Sequence, residues 1–294
     1  MRPMTGSPPT LNLVGAGRVG RTLAALWQAA GVFRLGDVLT RSPLSAQAAV
    51  AALGAGRPVS EPAAMRPAEV WLLATPDGAL ADSAARLANA GLAPAVAWHC
   101  SGFSPAAALA PLQAAGWAAA SVHPALSFAD PAAAQAQFAG TACALEGDDP
   151  AVARAEQAFG AIGGRCFRLR ATDKPLYHGA AVLVSNFPQV LAAAAAELWQ
   201  GCGMPPELIA PLWQAFAKNV TDNLLRLGPA AALTGPAARG DSAVVQAETT
   251  AMQVRDPALA QAYAALSTLA ARLAREGTAL APADGAAALS HARI

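Results

Sequence analysis

Leu11-Asn12-Leu13-Val14-Gly15-Ala16-Gly17-Arg18-Val19-Gly20-Arg21-Thr22-Leu23-Ala24-Ala25-Leu26-Trp27 is the stretch that decides the fold. Leu11–Val14 is a short apolar run bounded by a polar lead and a glycine turn, which reads as a buried strand. From Thr22 to Ala30 the apolar residues Leu23, Leu26 and Trp27 recur at three- to four-residue spacing, which predicts a helix. Between the two stands G-x-G-x-x-G. In that position the first glycine makes a tight turn, the second lets the backbone approach a pyrophosphate, and the third lets the helix pack on the strand. The free N–H groups of the helix N-terminus then face the phosphates. Gly15, Ala16, Gly17, Arg18, Val19 and Gly20 are therefore expected to bind a dinucleotide.

The next strand is expected at Gly36–Leu39. An NAD site places an acid on the ribose hydroxyls about 20 residues past the last glycine. That position holds Thr40, followed by Arg41 and Ser42, while Asp37 falls too early, inside the strand. An arginine flanked by hydroxyls suits a 2′-phosphate, because guanidinium supplies charge and a planar fork and the hydroxyls donate. NADP(H) is the expected cofactor, with a solvated Arg41 as the plain alternative.

Strands and helices go on alternating. Further strands are expected at Glu69–Ala74, Ala95–His99, Ala118–Val122, Cys143–Glu146 and Cys166–Leu169, with a helix from about Asp149 to Ile162. The strand ends near 14, 40, 74, 99 and 122 carry polar or glycine residues, and ligands of open parallel sheets bind at such edges. Ala74, Thr75 and Pro76 are expected to line the ribose side, with Thr75 capping a helix that begins at Pro76. After residue 170 the pattern is helical: Pro175–Gln200 with a kink at Pro188, Glu207–Asn223, Val244–Arg255 and Pro257–Arg275. These readings divide the chain into residues 1–170, a doubly wound parallel sheet that binds nucleotide, and 171–294, an all-helical substrate and dimerisation domain ending in a frayed tail from 278.

Composition narrows the function classes. Apolar residues make up 54% of 294 residues and charged residues 13%, with a net charge of +1. A chain that apolar is not disordered, and one that neutral has no basic field for nucleic acid or an anionic membrane. Cys100, Cys143, Cys166 and Cys202 form no C-x-x-C pair, so they read as small buried thiols and no metal site is expected. Met1–Thr10 lacks the apolar run of a signal peptide. Gly179–Trp199 is the most apolar long stretch, but Ser185, Asn186, Pro188, Gln189 and Glu197 interrupt it, so it reads as a buried helix. A soluble, cytoplasmic protein is expected.

Lys174 and Lys218 are the only lysines among 20 basic residues. On an ideal helix Lys174, His178 and Ser185 share one face. Burying three polar groups on an apolar helix is costly without a role. Lys174 or His178 would move a proton, and Asn186 would orient substrate or cap a kink. His123, at a strand end before Pro124, is a second proton-transfer candidate, and Ser101 would hydrogen-bond a substrate oxygen. Arg239 would clamp a carboxylate, or else pair with Asp241 to tie a turn.

The runs His99-Cys100-Ser101-Gly102, Ser121-Val122-His123-Pro124, Asp173-Lys174 with Tyr177-His178-Gly179, Ser185-Asn186, and Leu233-Thr234-Gly235-Pro236 with Arg239-Gly240-Asp241 resemble a bacterial family. Its members carry a Rossmann-like domain and a C-terminal helical domain of unknown function, and are labelled NADP oxidoreductases without an established substrate. More remotely the layout is similar to the 6-phosphogluconate dehydrogenase-like superfamily. That resemblance implies a Rossmann-type domain followed by a 6-phosphogluconate dehydrogenase-like helical domain, with the site in a cleft between them. In β-hydroxyacid dehydrogenases of this group an active-site lysine is followed four residues later by asparagine; Lys174 fits, but His178 stands in the partner position. In prephenate dehydrogenases a serine and a His-Pro at successive strand ends contact substrate, as Ser101 and His123-Pro124 would. The expected activity is hydride transfer between NADP(H) and a small carbonyl, hydroxy or imino acid, by a homodimer. The alternative is a non-catalytic NADP(H)-binding sensor or scaffold.

Overall fold

The computed structural model describes residues 7–277, so the expected tail from 278 lies outside the described residues. The elements in chain order are β1 (Thr10–Val14), α1 (Arg18–Ala29), β2 (Arg34–Leu39), α2 (Pro43–Leu53), β3 (Arg57–Val59), β4 (Val70–Leu73), α3 (Leu80–Ala88), β5 (Val96–His99), α4 (Ala110–Ala114), β6 (Ala118–Pro124), α5 (Pro131–Gln137), β7 (Ala142–Gly147), α6 (Asp149–Ala161) and β8 (Arg165–Arg168). All-helical elements follow: α7 (Lys174–Ser185), α8 (Phe187–Gly201), α9 (Pro206–Leu227), α10 (Pro229–Ala232), α11 (Pro236–Arg239), α12 (Ser242–Arg255) and α13 (Pro257–Glu276).

The strands form one sheet in the order β3-β2-β1-β4-β5-β6-β7-β8. β7 pairs antiparallel with β6, and the other neighbouring pairs are parallel. Chain direction across the sheet reverses between β1 and β4. Open sheets of this kind bind ligands at that point, beyond the carboxyl ends of the strands. Both faces are covered, and the two-residue period of β4 shows it: Val70 and Leu72 join the core on one face, Trp71 and Leu73 the core on the other. The first core is built on aromatic rings: Trp27 meets Phe33, Trp98 and Phe159 at centroid distances of 5.1–6.1 Å. The indole N–H groups of Trp27 and Trp98 donate to Ala158 O and Ala151 O on α6, so burying these rings strands no donor.

β3 has no counterpart among the strands read from the sequence. It is three residues long and contains Pro58, so it carries no alternation to recognise. What holds this edge is Asp37 of β2. Its fully buried carboxylate accepts two bonds from Arg57 (2.9 and 2.7 Å) and three from Arg66, including the backbone N–H (2.7 Å). Burial pushes the Asp37 acid up, but the bonds from Arg57 and Arg66 outweigh it and hold it well below the usual carboxylate range.

Two compact units divide the chain, Met1–Asn186 and Phe187–Ile294. The boundary expected at about 170 marks the last strand, but α7 still belongs with the sheet because Lys174 is anchored there. The helical stretch expected over 175–200, with a kink at Pro188, is two helices that meet at Asn186. Pro188 has no N–H to donate and crowds the carbonyl four residues earlier, which opens the ladder there. The apolar stretch expected to be a buried helix is not buried: Leu183, Val184, Phe187, Val190 and Leu191 are exposed, Val184 by 79%. The run Ala171–Gly201, of mean hydropathy 1.4, is long and apolar enough to cross a membrane by composition. In the second unit Trp199 stacks on Phe216 at 6.4 Å, and Tyr263 of α13 is bonded to Glu248 of α12. The expectation of four buried thiols holds for Cys143 alone; Cys100 and Cys166 are half-buried and Cys202 is exposed.

Asp37→Asn is expected to lower the unfolding free energy by about 2–3 kcal/mol at pH 7. The acid is shifted below its usual 3.8, so its stabilisation is complete above that pH and is lost as pH falls towards the folded-state value. Urea denaturation at pH 7 and pH 3 checks this: the variant should lack that part of the wild-type slope, and equal stabilities at pH 7 would contradict it.

Candidate functional site

Each glycine of the β1–α1 loop has a separate physical reason. Gly15 adopts φ +86°, and a Cβ there would lie 2.7 Å from the Ala74 carbonyl group. Gly20 would press a Cβ against Gly15 O at 2.7 Å and Ala74 Cβ at 2.9 Å, so it sets the closeness of α1 to the sheet. A Cβ on Gly17 would meet nothing within 4 Å. Gly17 caps α1, no side chain caps the helix, and no acid lies in its first turn. Open space thus faces a helix N-terminus with free N–H groups. Backbone bonds lock the loop from both sides, Gly15 N–H to Leu39 O (2.8 Å) and Ala74 N–H to Val14 O (2.7 Å).

Three buried donors in the first turn of α1 and after β4 have no partner within the described protein: Arg21 Nε, Thr22 Oγ1 and Thr75 Oγ1. Thr75 is not a helix cap, contrary to expectation: a short 3-10 turn begins at Asp77 behind Pro76, and the Thr75 hydroxyl is left over. At the end of β2, Ser42 is the residue that caps, accepting from Ser45 N–H at 3.2 Å and bonding Ser45 Oγ at 2.9 Å. Thr40 Oγ1 donates to Ser42 O at 2.8 Å. Of the expected hydroxyl–arginine–hydroxyl trio, Arg41 alone is exposed, at the sheet edge.

The ends of β5 and β6 meet the first turn of α7 around Ser101. Its hydroxyl donates to Asp77 Oδ2 (2.7 Å) and accepts from the N–H groups of Phe103 (3.1 Å) and Ser104 (2.7 Å). Its N–H donates to His99 Nδ1 at 3.2 Å. Its carbonyl accepts from Lys174 Nζ at 3.0 Å and Ser121 Oγ at 3.2 Å. Ser101, expected to bond a substrate oxygen, thus has its hydroxyl bonded within the loop. Lys174 is 1% exposed, with a second bond to Ser121 Oγ at 2.7 Å. Burial pulls its ammonium below the usual lysine range, against the opposing fields of Glu146 and Asp77. These two bonds tie the ends of β5 and β6 to the first turn of α7.

Three histidines surround this hub. His99 is buried and accepts at Nδ1, so its ring proton sits on Nε2 and donates to Pro105 O at 3.1 Å. Burial lowers it to about 4. His123 pairs through Nδ1 with Tyr177 OH at 2.9 Å, and burial together with Lys174 and His178 lowers it to about 4 as well. Both imidazoles are neutral at pH 7. His178 lies edge-on to His123 (6.0 Å between centroids) and to Phe103 (6.5 Å). Gly102 makes the meeting possible: a Cβ there would fall 2.5 Å from His178 Cδ2 and 2.9 Å from His123 Nε2.

The expected face of Lys174, His178 and Ser185 is split by depth and length. Ser185 and Asn186 are exposed at the far end of α7, about 16 Å along the axis from Lys174, with Ser185 Oγ donating to Ala181 O at 2.7 Å. Arg239 lies in the second unit and pairs with Asp241 at 2.9 Å, the turn-tying alternative. Sequence reading gave no role to Asp77, Ser121 or Tyr177, although Ser121 and Tyr177 stand in the runs that carry the family resemblance, and Tyr177 is one of two tyrosines in the chain, three residues after Lys174 and within the same helical turn.

Comparisons with known proteins agree with this architecture. Residues 7–124 match the family described as Rossmann-like domain, and residues 141–270 match the Domain of unknown function (DUF2520). No curated protein matches the chain. Among solved structures, protein TM1727 from Thermotoga maritima is 28% identical, with TM-score 0.69, over 90% of this chain and 98% of that one. BF3122 from Bacteroides fragilis, provisionally named an NADP oxidoreductase, is 22% identical with TM-score 0.74, over 90% and 99%. A 1-pyrroline-5-carboxylate reductase from Streptococcus pyogenes is 13% identical with TM-score 0.61, over 91% and 100%, a likeness of fold.

Gly102→Ala is expected to drive His178 and His123 apart and to cost about 1–3 kcal/mol of stability. Ring NMR signals of those two histidines should move while His99, held by Ser101 and Pro105, stays in place. Unmoved His123 and His178 signals would contradict the packing described.

Proposed function

From a chain that joins a Rossmann-like domain to a DUF2520 domain, we propose an NADP(H)-dependent oxidoreductase acting on a small carbonyl, hydroxy or imino acid. The observation that carries the reading is the Gly15–Gly20 cradle after β1 at the sheet's reversal point, three strands from β6 with the neutral His123 and its partner Tyr177. A dinucleotide fits the residues present. Gly17 leaves room for a pyrophosphate, the uncapped α1 N-terminus favours an anion, and Arg21 Nε and Thr75 Oγ1 are buried donors awaiting an acceptor. When bound, the nicotinamide supplies or accepts the hydride.

The chain's own residues do the rest. Arg41 supplies charge for a 2′-phosphate, since the acid of β2 is spent on Arg57 and Arg66. Ser101 and Lys174 hold the loop after β5, and the His123 and His178 edges serve proton transfer. A sensor would need no such cluster: a buried ammonium and two neutral imidazoles cost stability that nucleotide binding alone does not require.

We also propose that the chain is a homodimer. Trp213, Phe216, Val220, Leu224 and Leu227 form one exposed stripe along α9 at helical spacing. Covering them would contribute roughly 1 kcal/mol per half-exposed side chain. A second copy of the same stripe is the simplest self-complementary cover.

Fluorescence titration with NADPH and NADH in parallel tests the cofactor. NADPH should bind at least about tenfold more tightly, a difference of ~1.4 kcal/mol, and Arg41→Ala should erase it. Equal affinities in the wild type would sink the NADP assignment. Light scattering should give twice the chain mass, and Phe216→Asp with Val220→Asp should halve it; a monomeric wild type would refute the dimer.

A further inference from the structure

Reducing a carbonyl or imine requires a proton at the oxygen or nitrogen as the carbon gains a hydride. The obvious donors at the ends of β5 and β6 are already committed. Lys174 is enclosed and directs two N–H bonds to Ser101 O and Ser121 Oγ. The Ser101 hydroxyl proton goes to Asp77, and that of Ser121 goes to Ser101 O. Tyr177 differs. It is half-buried, and among the described residues its hydroxyl meets one protein group, His123 Nδ1 at 2.9 Å. Its ring is gripped edge-on by His123 (5.5 Å) and Phe167 (6.0 Å), so the phenol oxygen has a fixed place.

We infer that the Tyr177 hydroxyl is the proton donor of this site and that His123 is the relay behind it, an assignment that rests on the oxidoreductase reading. A phenol accepts one hydrogen bond while donating another. With the imidazole proton on Nδ1, His123 donates to the phenol oxygen, and the phenol proton is free for substrate. The step balances. The carbonyl carbon gains a hydride from the reduced dinucleotide, and the C=O π pair moves to oxygen. That oxygen takes the Tyr177 proton as the phenol oxygen takes the Nδ1 proton. Nε2, on the side of Gly102, takes up from solvent the one proton that the overall reduction consumes, and His123 is left neutral in its other tautomer. Exchange with water restores the starting tautomer, and oxidation runs the same path backwards. Burial keeps the Tyr177 hydroxyl above its usual range, so it holds its proton at pH 7.

Long-range 1H–15N NMR of the full chain at pH 7 reads the tautomer directly, with the His123 signals identified by their loss in His123→Gln. The expected result is a protonated Nδ1 in the wild type and a switch to protonated Nε2 in Tyr177→Phe. A wild-type His123 protonated on Nε2 would overturn the assignment, because the phenol proton would then be spent on Nδ1. For any carbonyl in a screen that supports NADPH oxidation, Tyr177→Phe should lower kcat about 100-fold or more, with KM and NADPH affinity within about twofold. An unchanged kcat would also overturn it. Failure of the wild type to bind either NADPH or NADH, in the parallel titration, would instead remove the oxidoreductase reading itself.

Discussion

Lys174 places a formal charge where almost no water reaches, and the candidate site is arranged around the way that charge is satisfied. An isolated ammonium in such a place would cost several kcal/mol. Here two short hydrogen bonds to Ser101 O and Ser121 Oγ offset the cost, and Glu146 and Asp77 balance the charge at longer range. Because Lys174 is the first residue of α7, those bonds fix the start of the helix on the ends of β5 and β6. Tyr177 and His178 sit one turn later, and they meet His123 as a consequence of that anchoring.

A second constraint governs the opposite end of the sheet. Asp37 would be the natural candidate for a ribose contact if only its type were considered. It points into the sheet edge, where Arg57 and Arg66 surround its carboxylate. The edge strand β3 depends on that clamp, and the loop beyond β2 is left with a basic group, Arg41, instead of an acid. One buried carboxylate therefore serves both the stability of the edge and the electrostatics of the loop.

The helical region shows how far composition misleads. An apolar run interrupted by a few polar residues reads as buried because burial is the usual fate of such runs. In this chain the large side chains of α7, α8 and α9 remain exposed to an extent few monomers show. Periodicity located these helices well; which surface each one faces is a matter of neighbours, and no local pattern encodes that.

Local chemistry determined a great deal here without any structure. The order of strands and helices, the glycine loop and the separate work of Gly15, Gly17 and Gly20 are set by short-range sterics and period, which a single stretch of chain carries within itself. The helix break near Pro188 belongs to the same class. Tertiary structure alone decided which polar residues are free. Ser101, Ser42 and Thr40 look available in the sequence, yet each is committed to a backbone or carboxylate partner. Lys174 looks reactive and is enclosed; Tyr177 looks incidental, yet its hydroxyl meets His123 Nδ1. The reason is physical. A hydrogen bond between residues 50 or 70 positions apart exists only once the sheet has brought both partners together, and burial is a property of the packed whole.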